Sequence, residues 1–434
     1  MKQIETIESK RVLNSLKEIK TKNIQKTIFV FGSAGTGKST LIKKIRNLDL
    51  NSVILAPTGI AALNVGGQTI HSFFKFDFSP SPKNKKPLNS ALVQKLDLLI
   101  VDETSMLNPA ILDAIDKSLK KNRKNSKPFG GVSIMLVGDI FQLEPVVKGE
   151  AKKYFNKEYG STFFFDAKCL QDLNPEIFEL NFQFRQSQDE KFSNLLEAIR
   201  LGKNLETNLK ILNKNCLDNF SESESQMILT GNNIEADSRN IEKLKRLTSK
   251  SHFYEAQLTG DFQYKKEKEE SLPAPLSLEL KKGAQVRMVK NSPGKWANGS
   301  LGQIIDLDNR IIKVKIENLV YEVERENWEI THYSYDEASD KITQKIKGQF
   351  RQFPMRLGWA STIHKSQGLT LNSCTIDLES AFCHGQCYVA LSRCSSMQGI
   401  NLVHPIDPSD VIISERVKSF YKQEISESRL RRVS

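Results

Sequence analysis

Apolar positions along the chain fall into short unbroken runs separated by longer stretches where they recur every three or four residues. The runs Thr27–Phe31, Val53–Ala56, Leu98–Val101 and Ser133–Val137 are β-rich and too short for helices, so they predict strands. Between the third and fourth, Asn108 and Pro109 supply a helix cap and a first-turn proline. Ile111, Ile115 and Leu119 then recur at helical spacing, and Pro128-Phe129-Gly130-Gly131 ends the segment. Such alternation implies a mostly parallel sheet covered by helices. A second set of short runs, Met227–Thr230, Leu357–Ala360, Cys374–Leu378 and Ile400–Val403, predicts a second α/β unit.

The second unit is interrupted. From about Leu258 to Phe353 the pattern changes to short strands and turns, with Gln285–Val289, Gly302–Ile305, Ile311–Ile316 and Val320–Val323 separated by Gly, Asn and Asp. A small β-barrel inserted between strands of the second unit fits this texture. Lys265–Glu270 reads as an exposed charged loop and Arg429–Arg432 as a solvated tail.

Length and composition narrow the function classes. A chain of 434 residues holds two or three domains of roughly 100 to 200 residues. Lys and Arg number 63 against 51 Asp and Glu, a net charge of +12, which favours a polyanionic partner. No apolar run approaches the roughly 20 residues of a membrane span, so no membrane partner is expected. The cysteines Cys169, Cys216, Cys374, Cys383, Cys387 and Cys394 form no Cys-x-x-Cys pair and match no common zinc or cluster spacing, so they read as free thiols of a reduced compartment. A cytoplasmic protein, without secretory or mitochondrial presequence, is expected.

Candidate chemistry begins at Gly32-Ser33-Ala34-Gly35-Thr36-Gly37-Lys38-Ser39, followed by Thr40. This run lies between a predicted strand and a predicted helix and fits the phosphate-loop pattern at every fixed position. Glycines let backbone amides wrap phosphates, Lys38 neutralises the outer phosphates of ATP, and Ser39 presents a hydroxyl to Mg²⁺. Asp102-Glu103 ends the third strand, where Asp102 suits Mg²⁺ and Glu103 suits polarisation of the attacking water; an exposed Asp-Glu pair would be the bland alternative. Gly138-Asp139-Ile140-Phe141-Gln142 repeats the arrangement after the next strand, with Gln142 a candidate sensor of the γ-phosphate. Arg185 and Arg393 each sit at the edge of an apolar segment and are either fingers for the transferring phosphoryl group or structural ion pairs.

A further loop, Thr362-Ile363-His364-Lys365-Ser366-Gln367-Gly368-Leu369-Thr370, gathers hydroxyl, imidazole, ammonium and amide groups that can face nucleic acid on one side and a triphosphate on the other. Phe73, Phe74, Phe76 and Phe78 lie beside the basic run Lys83–Lys86. They suit base stacking or a strand-separating wedge, or equally a core, with the Phe76/Phe78 alternation favouring a hairpin buried on one face.

In order along the chain, GSAGTGKS, APTGIAALNVGGQTIHSFF from Ala56, DETSM, PFGG, GDIFQL, FRQ, WASTIHKSQGLTL from Trp359 and GQCYVALSR from Gly385 resemble the superfamily one 5′-to-3′ DNA helicases, most closely the petite integration frequency (PIF) helicase family in a compact bacterial or phage-like form. The resemblance implies an α/β fold of two RecA-like P-loop NTPase domains with ATP bound between them, a small wedge in the first and an SH3-like β-barrel inserted in the second. The implied boundaries are 1–183 with the wedge at about 66–88, then 184–257, an insertion at 258–353, 354–416, and a C-terminal helix or tail at 417–434. It implies that Arg185 and Arg393 are the fingers, that Gln367 and Gly368 respond to nucleotide, and that Pro57, Thr58, Thr69, His71, Phe74, Thr362, His364 and Lys365 follow single-stranded DNA, although His71 and His364 could be core histidines. The expected activity is ATP- and Mg²⁺-dependent unwinding of tailed, forked or G-quadruplex DNA in replication, repair or recombination, by a protein monomeric in solution. An ATP-gated single-strand binding factor and a nucleotide kinase are the other classes. The chain departs from the family pattern at Glu5–Lys10, which offers no adenine-reading glutamine, at Glu144 in place of a proline, and at Cys394 after the second arginine.

Overall fold

The structure, a computed structural model, describes residues 6–147, 149–217, 226–262, 272–378 and 383–426. Two sequence expectations, the loop Lys265–Glu270 and the tail Arg429–Arg432, lie outside the described residues, as does Glu5. The chain forms two compact units. The first comprises Met1–Phe184, Ile330–Lys347 and Ser414–Ser434; the second comprises Arg185–Glu329 and Gly348–Ile413.

In the first unit, β1 (Thr27–Gly32), β2 (Ser52–Ala56), β3 (Gln68–Thr69), β4 (Leu98–Val101), β5 (Ser133–Gly138) and β6 (Glu176–Leu180) form a parallel sheet in the order β3-β2-β4-β5-β1-β6. All four positions of β4 and all six of β5 are buried, as expected of strands covered on both faces. The helix Pro109–Arg123 forms as its caps predict: Asn108 Oδ1 accepts from Ile111 N at 3.0 Å, and Lys124 closes it in the left-handed region. Strand order is what builds the site. Because β5 lies between β4 and β1, the loops leaving the C-terminal ends of these three strands emerge side by side, where open α/β sheets bind ligands.

Three parts of this unit were not anticipated. Strand β6 extends the sheet beyond β1, and helix Ile7–Thr21, capped by the Thr6 hydroxyl, buries Val12, Leu16 and Ile19 in the same core. Residues Ile330–Lys347, expected inside the inserted domain, group with the first unit: the Tyr333 hydroxyl accepts from Ile54 N at 2.9 Å and donates to Ile54 O at 3.3 Å, and Lys341 and Lys20 share Asp49.

The aromatic segment is buried at Phe73, Phe74 and Phe76 and exposed at Phe78. Phe74, expected at the DNA, is fully buried, stacked on Phe76 at 5.2 Å and edge-on to Phe73. Phe76 and Phe78 do not share a face as strict alternation requires, because Phe76 is buried and Phe78 is 75% exposed. Phe74→Ala is therefore expected to act as a core truncation, costing about 3–5 kcal/mol in a denaturant titration. Unchanged stability with weakened DNA binding would restore the original assignment.

The second unit contains a four-stranded parallel sheet in the order Ala360–Thr362, Met227–Thr230, Cys374–Ile376, Ile400–Leu402. The predicted strand Leu357–Ala360 is in fact a junction between two sheets. Met355–Leu357 pairs antiparallel with Gln285–Met288, and the parallel strand starts at Ala360. Gly358 marks the crossing, since a Cβ there would come within 2.7 Å of the Val286 backbone. Leu319–Val323, Ile312–Ile316, Leu301–Leu307, Gln285–Met288 and Met355–Leu357 form a five-stranded antiparallel sheet. Its core includes Val286, Met288, Ile304, Val314, Phe353 and Met355. Among the described residues, no helix is long and apolar enough to cross a membrane.

Candidate nucleotide and nucleic-acid sites

Strand β1 runs into the phosphate loop, where Gly35 and Gly37 both adopt φ of 87°, a region that side chains other than glycine rarely occupy. A Cβ on Gly37 would also lie 3.1 Å from the Phe184 ring, a tight approach. Lys38 opens the helix Lys38–Ile45, and its Nζ donates to Gly32 O at 2.7 Å and Ser33 O at 2.9 Å. Thr36 Oγ1 donates to Ser33 O at 2.9 Å. Ala34 is buried, while Ser39 and Thr40 are exposed on the first helical turn. A glycine-rich turn entering a helix in this way offers backbone N–H groups and a positive dipole end to phosphates.

At the end of β4, Asp102 is buried and Glu103 turns the chain with φ 52° and ψ 48°, in the left-handed region. A non-glycine residue held there is strained, and such strain concentrates at functional sites. The turn Thr104–Met106 then packs against the end of β5, where a Cβ on Gly138 would stand 2.5 Å from Thr104 Oγ1. Burial, and then the adjoining Glu103 carboxylate, push the Asp102 carboxyl up to about 7, against the opposing charge of Lys38. Beyond β5, Asp139 accepts from Phe141 N at 3.2 Å and from Gln142 Nε2 at 3.3 Å, so the buried Gln142 amide is held by its neighbour. The donor set fits Mg²⁺: one hydroxyl, Ser39, and one desolvated carboxylate, Asp102, are hard oxygens, and this ion commonly takes only one or two protein ligands with phosphate and water. Thr104 Oγ1, next to Gly138 at the end of β5, is buried and has no hydrogen-bond partner among the described residues.

In the second unit Arg185 Nη1 donates to Ser392 O at 2.9 Å, and burial, followed by the nearby Arg393 charge, pushes its guanidinium down to about 9. Arg393, expected as an extended finger, is only 1% exposed. Its Nε donates to Val389 O at 2.8 Å, Nη2 to Ser392 Oγ at 2.8 Å, and Nη1 to Ser366 O at 3.3 Å and Leu369 O at 3.4 Å. It thus clasps the loop Thr362–Thr370 to the helix Gln386–Leu391. In that loop Gln367 is half-buried and Gly368 is exposed with φ 83°.

The three threonines assigned to DNA share a geometry that sequence reading missed. Thr58, Thr69 and Thr362 each cap a short helix, accepting from Ala61 N, Ser72 N and Lys365 N at 3.1–3.3 Å. Each hydroxyl keeps its O–H as a donor, although Thr362 is buried. The signal was a threonine directly before a helical segment. Pro57 and Lys365 are half-buried, and His71 stacks on the exposed Phe78 ring at 4.7 Å and 13°. Phe78 is exposed, as are Lys83, Lys85 and Lys86.

His364 is half-buried, and burial lowers it from its ordinary 6.5, favouring the neutral imidazole. A base held neutral by folding contributes stability above its unfolded value, and that contribution is lost as pH falls through the folded value. On acidification from about pH 7.5 to about 5.5, the wild-type melting temperature should fall further than that of His364→Gln. Parallel curves would show that His364 does not titrate in this window.

The fold and these groups define a P-loop NTPase built on two α/β units. The profile of the PIF1-like helicase family matches residues 5–210. The ATP-dependent DNA helicase Pif1 of Bdellovibrio bacteriovorus is 30% identical, over 91% of this chain and 88% of its own. The chain belongs to the PIF1-like helicase family. It is also similar to the ATP-dependent DNA helicase PIF1 of Emericella nidulans, at 30% identity over 93% of this chain and 62% of that protein, so it spans about three-fifths of that relative's length. The solved structure of Bacteroides sp Pif1 in complex with ADP-AlF4 superposes with a TM-score of 0.88, at 33% identity and 98% coverage of each chain.

Proposed function

We propose that this chain is an ATP-dependent DNA helicase that moves 5′ to 3′ along single-stranded DNA and unwinds tailed or forked duplexes. The observation carrying this reading is the gathering of Lys38, Asp102-Glu103 and Asp139-Gln142 on adjacent strand ends of one sheet. The activity named for the relatives in Bdellovibrio and Emericella supports it.

In this mechanism Lys38 and the loop amides bind the phosphates of ATP, and Ser39 and Asp102 would hold Mg²⁺, which would supply charge neutralisation for the phosphates. Glu103 orients the attacking water, and Gln142 reports the γ-phosphate through Asp139. Arg185 and Arg393 stabilise charge on the transferring group; Arg393 must first give up its carbonyl partners, which ties hydrolysis to the loop Thr362–Thr370. Thr58, Thr69, Thr362, His364 and Lys365 hold the DNA backbone, with Phe78 at the strand-separating edge and the antiparallel sheet as an SH3-like module. ATP turnover with and without single-stranded DNA tests the reading. Turnover should rise with DNA, and log affinity should fall against log salt with a slope of about −0.7 per phosphate neutralised. ATPase indifferent to DNA would contradict it.

A further inference from the structure

Directly after β6 the chain runs Asn181-Phe182-Gln183-Phe184, and within the first unit this segment lies against the phosphate loop. Phe184 N donates to Gly35 O at 3.0 Å, and its ring covers Gly37. Gln183 Nε2 donates to Ser33 Oγ at 2.5 Å. Ser33 is the hub of the loop, since its carbonyl accepts both Thr36 Oγ1 and Lys38 Nζ at 2.9 Å. The other end of the Gln183 amide is unusual: among the described residues, buried Oε1 has no hydrogen-bond partner. A desolvated, unpaired acceptor is costly, so the amide is held by its one bond to Ser33 in a poorly satisfied state.

We propose that Gln183 is a positioning residue that latches Ser33, and so holds the phosphate loop in the arrangement where the Lys38 ammonium is bonded to the loop's own carbonyls. Phosphates and the carbonyls of Gly32 and Ser33 compete for that ammonium. Nucleotide binding therefore works against the latch, and its strength sets nucleotide affinity without touching the chemical step. The proposal rests on the nucleotide reading of this loop.

Calorimetric titration of ADP into the full chain tests it, using wild type, Gln183→Leu, Ser33→Ala and the double variant. Each single change should tighten ADP about fivefold, the worth of one neutral hydrogen bond. The double variant should be no tighter than either, because both remove the same bond. For Gln183→Leu, the KM for ATP should fall by a similar factor while kcat stays unchanged, a split that a merely structural role would not produce. Unchanged or weaker ADP binding by Gln183→Leu, or additive effects in the double variant, would overturn the latch. A wild-type chain that binds no ADP would instead overturn the nucleotide site. Should Gln183→Leu fail to fold, Gln183→Asn, one methylene short of Ser33, carries the same expectation and the same disproof.

Discussion

Glu103→Gln should lower ATP turnover by about 10² to 10⁴-fold while leaving ATP binding in place, the loss typical of a removed catalytic base. The substitution keeps the size and the hydrogen-bonding reach of the side chain. It does not relieve the left-handed backbone at this position or disturb the turn Thr104–Met106, so the geometry at the end of β4 survives. What is lost is a carboxylate able to orient and polarise water. Removing that charge also takes away the second-largest cause raising Asp102, whose carboxyl should titrate lower in the variant. Single-turnover hydrolysis with saturating ATP separates the chemical step from binding. A wild-type rate would remove Glu103 from the chemistry.

Arg393→Ala should cost about 10³ to 10⁵ in turnover if the residue acts as a finger, and its burial predicts a second defect. The guanidinium is the donor for Ser366 O and Leu369 O, so its removal leaves these carbonyls without it and loosens the loop that carries His364 and Lys365. Single-strand affinity measured without nucleotide should therefore weaken in Arg393→Ala and hold in Arg185→Ala, which bonds Ser392 O rather than the loop carbonyls. Arg393→Lys should behave like alanine, since one ammonium cannot reproduce a planar fork bonded at Nε, Nη1 and Nη2. Hydrolysis lost with DNA affinity intact in Arg393→Ala would mean the clasp is incidental.

How much could be read from the sequence differs by element. Strands β1, β4 and β5 were legible because burial on both faces leaves unbroken apolar runs, and the phosphate loop because glycine spacing dictates its backbone. Strand β6, with sequence EIFEL, has glutamates at two of five positions and reads as a surface segment. The long strand Glu326–Asp336 is mostly half-buried and Lys341–Gln352 is half exposed, and both mix polar with apolar residues, so neither periodicity nor hydrophobicity marks them. Among site residues, Lys38 and Asp102 follow from their place after a strand. The fate of Arg393 does not, because a side chain that bonds four acceptors from two segments depends on tertiary packing that no local pattern encodes. The same holds for Phe74 and Phe78, alike in sequence and opposite in exposure, and for Gln183, whose partner Ser33 lies 150 positions earlier.

Strand displacement on paired substrates decides whether this chain is a 5′-to-3′ helicase. The full chain with ATP and Mg²⁺ is offered the same duplex carrying either a 5′ or a 3′ single-stranded tail. Only the 5′-tailed duplex should be displaced, and Glu103→Gln should abolish that displacement. Displacement of the 3′-tailed duplex alone would reverse the polarity, and DNA-stimulated hydrolysis with no displacement of either would make the protein an ATP-gated binding factor.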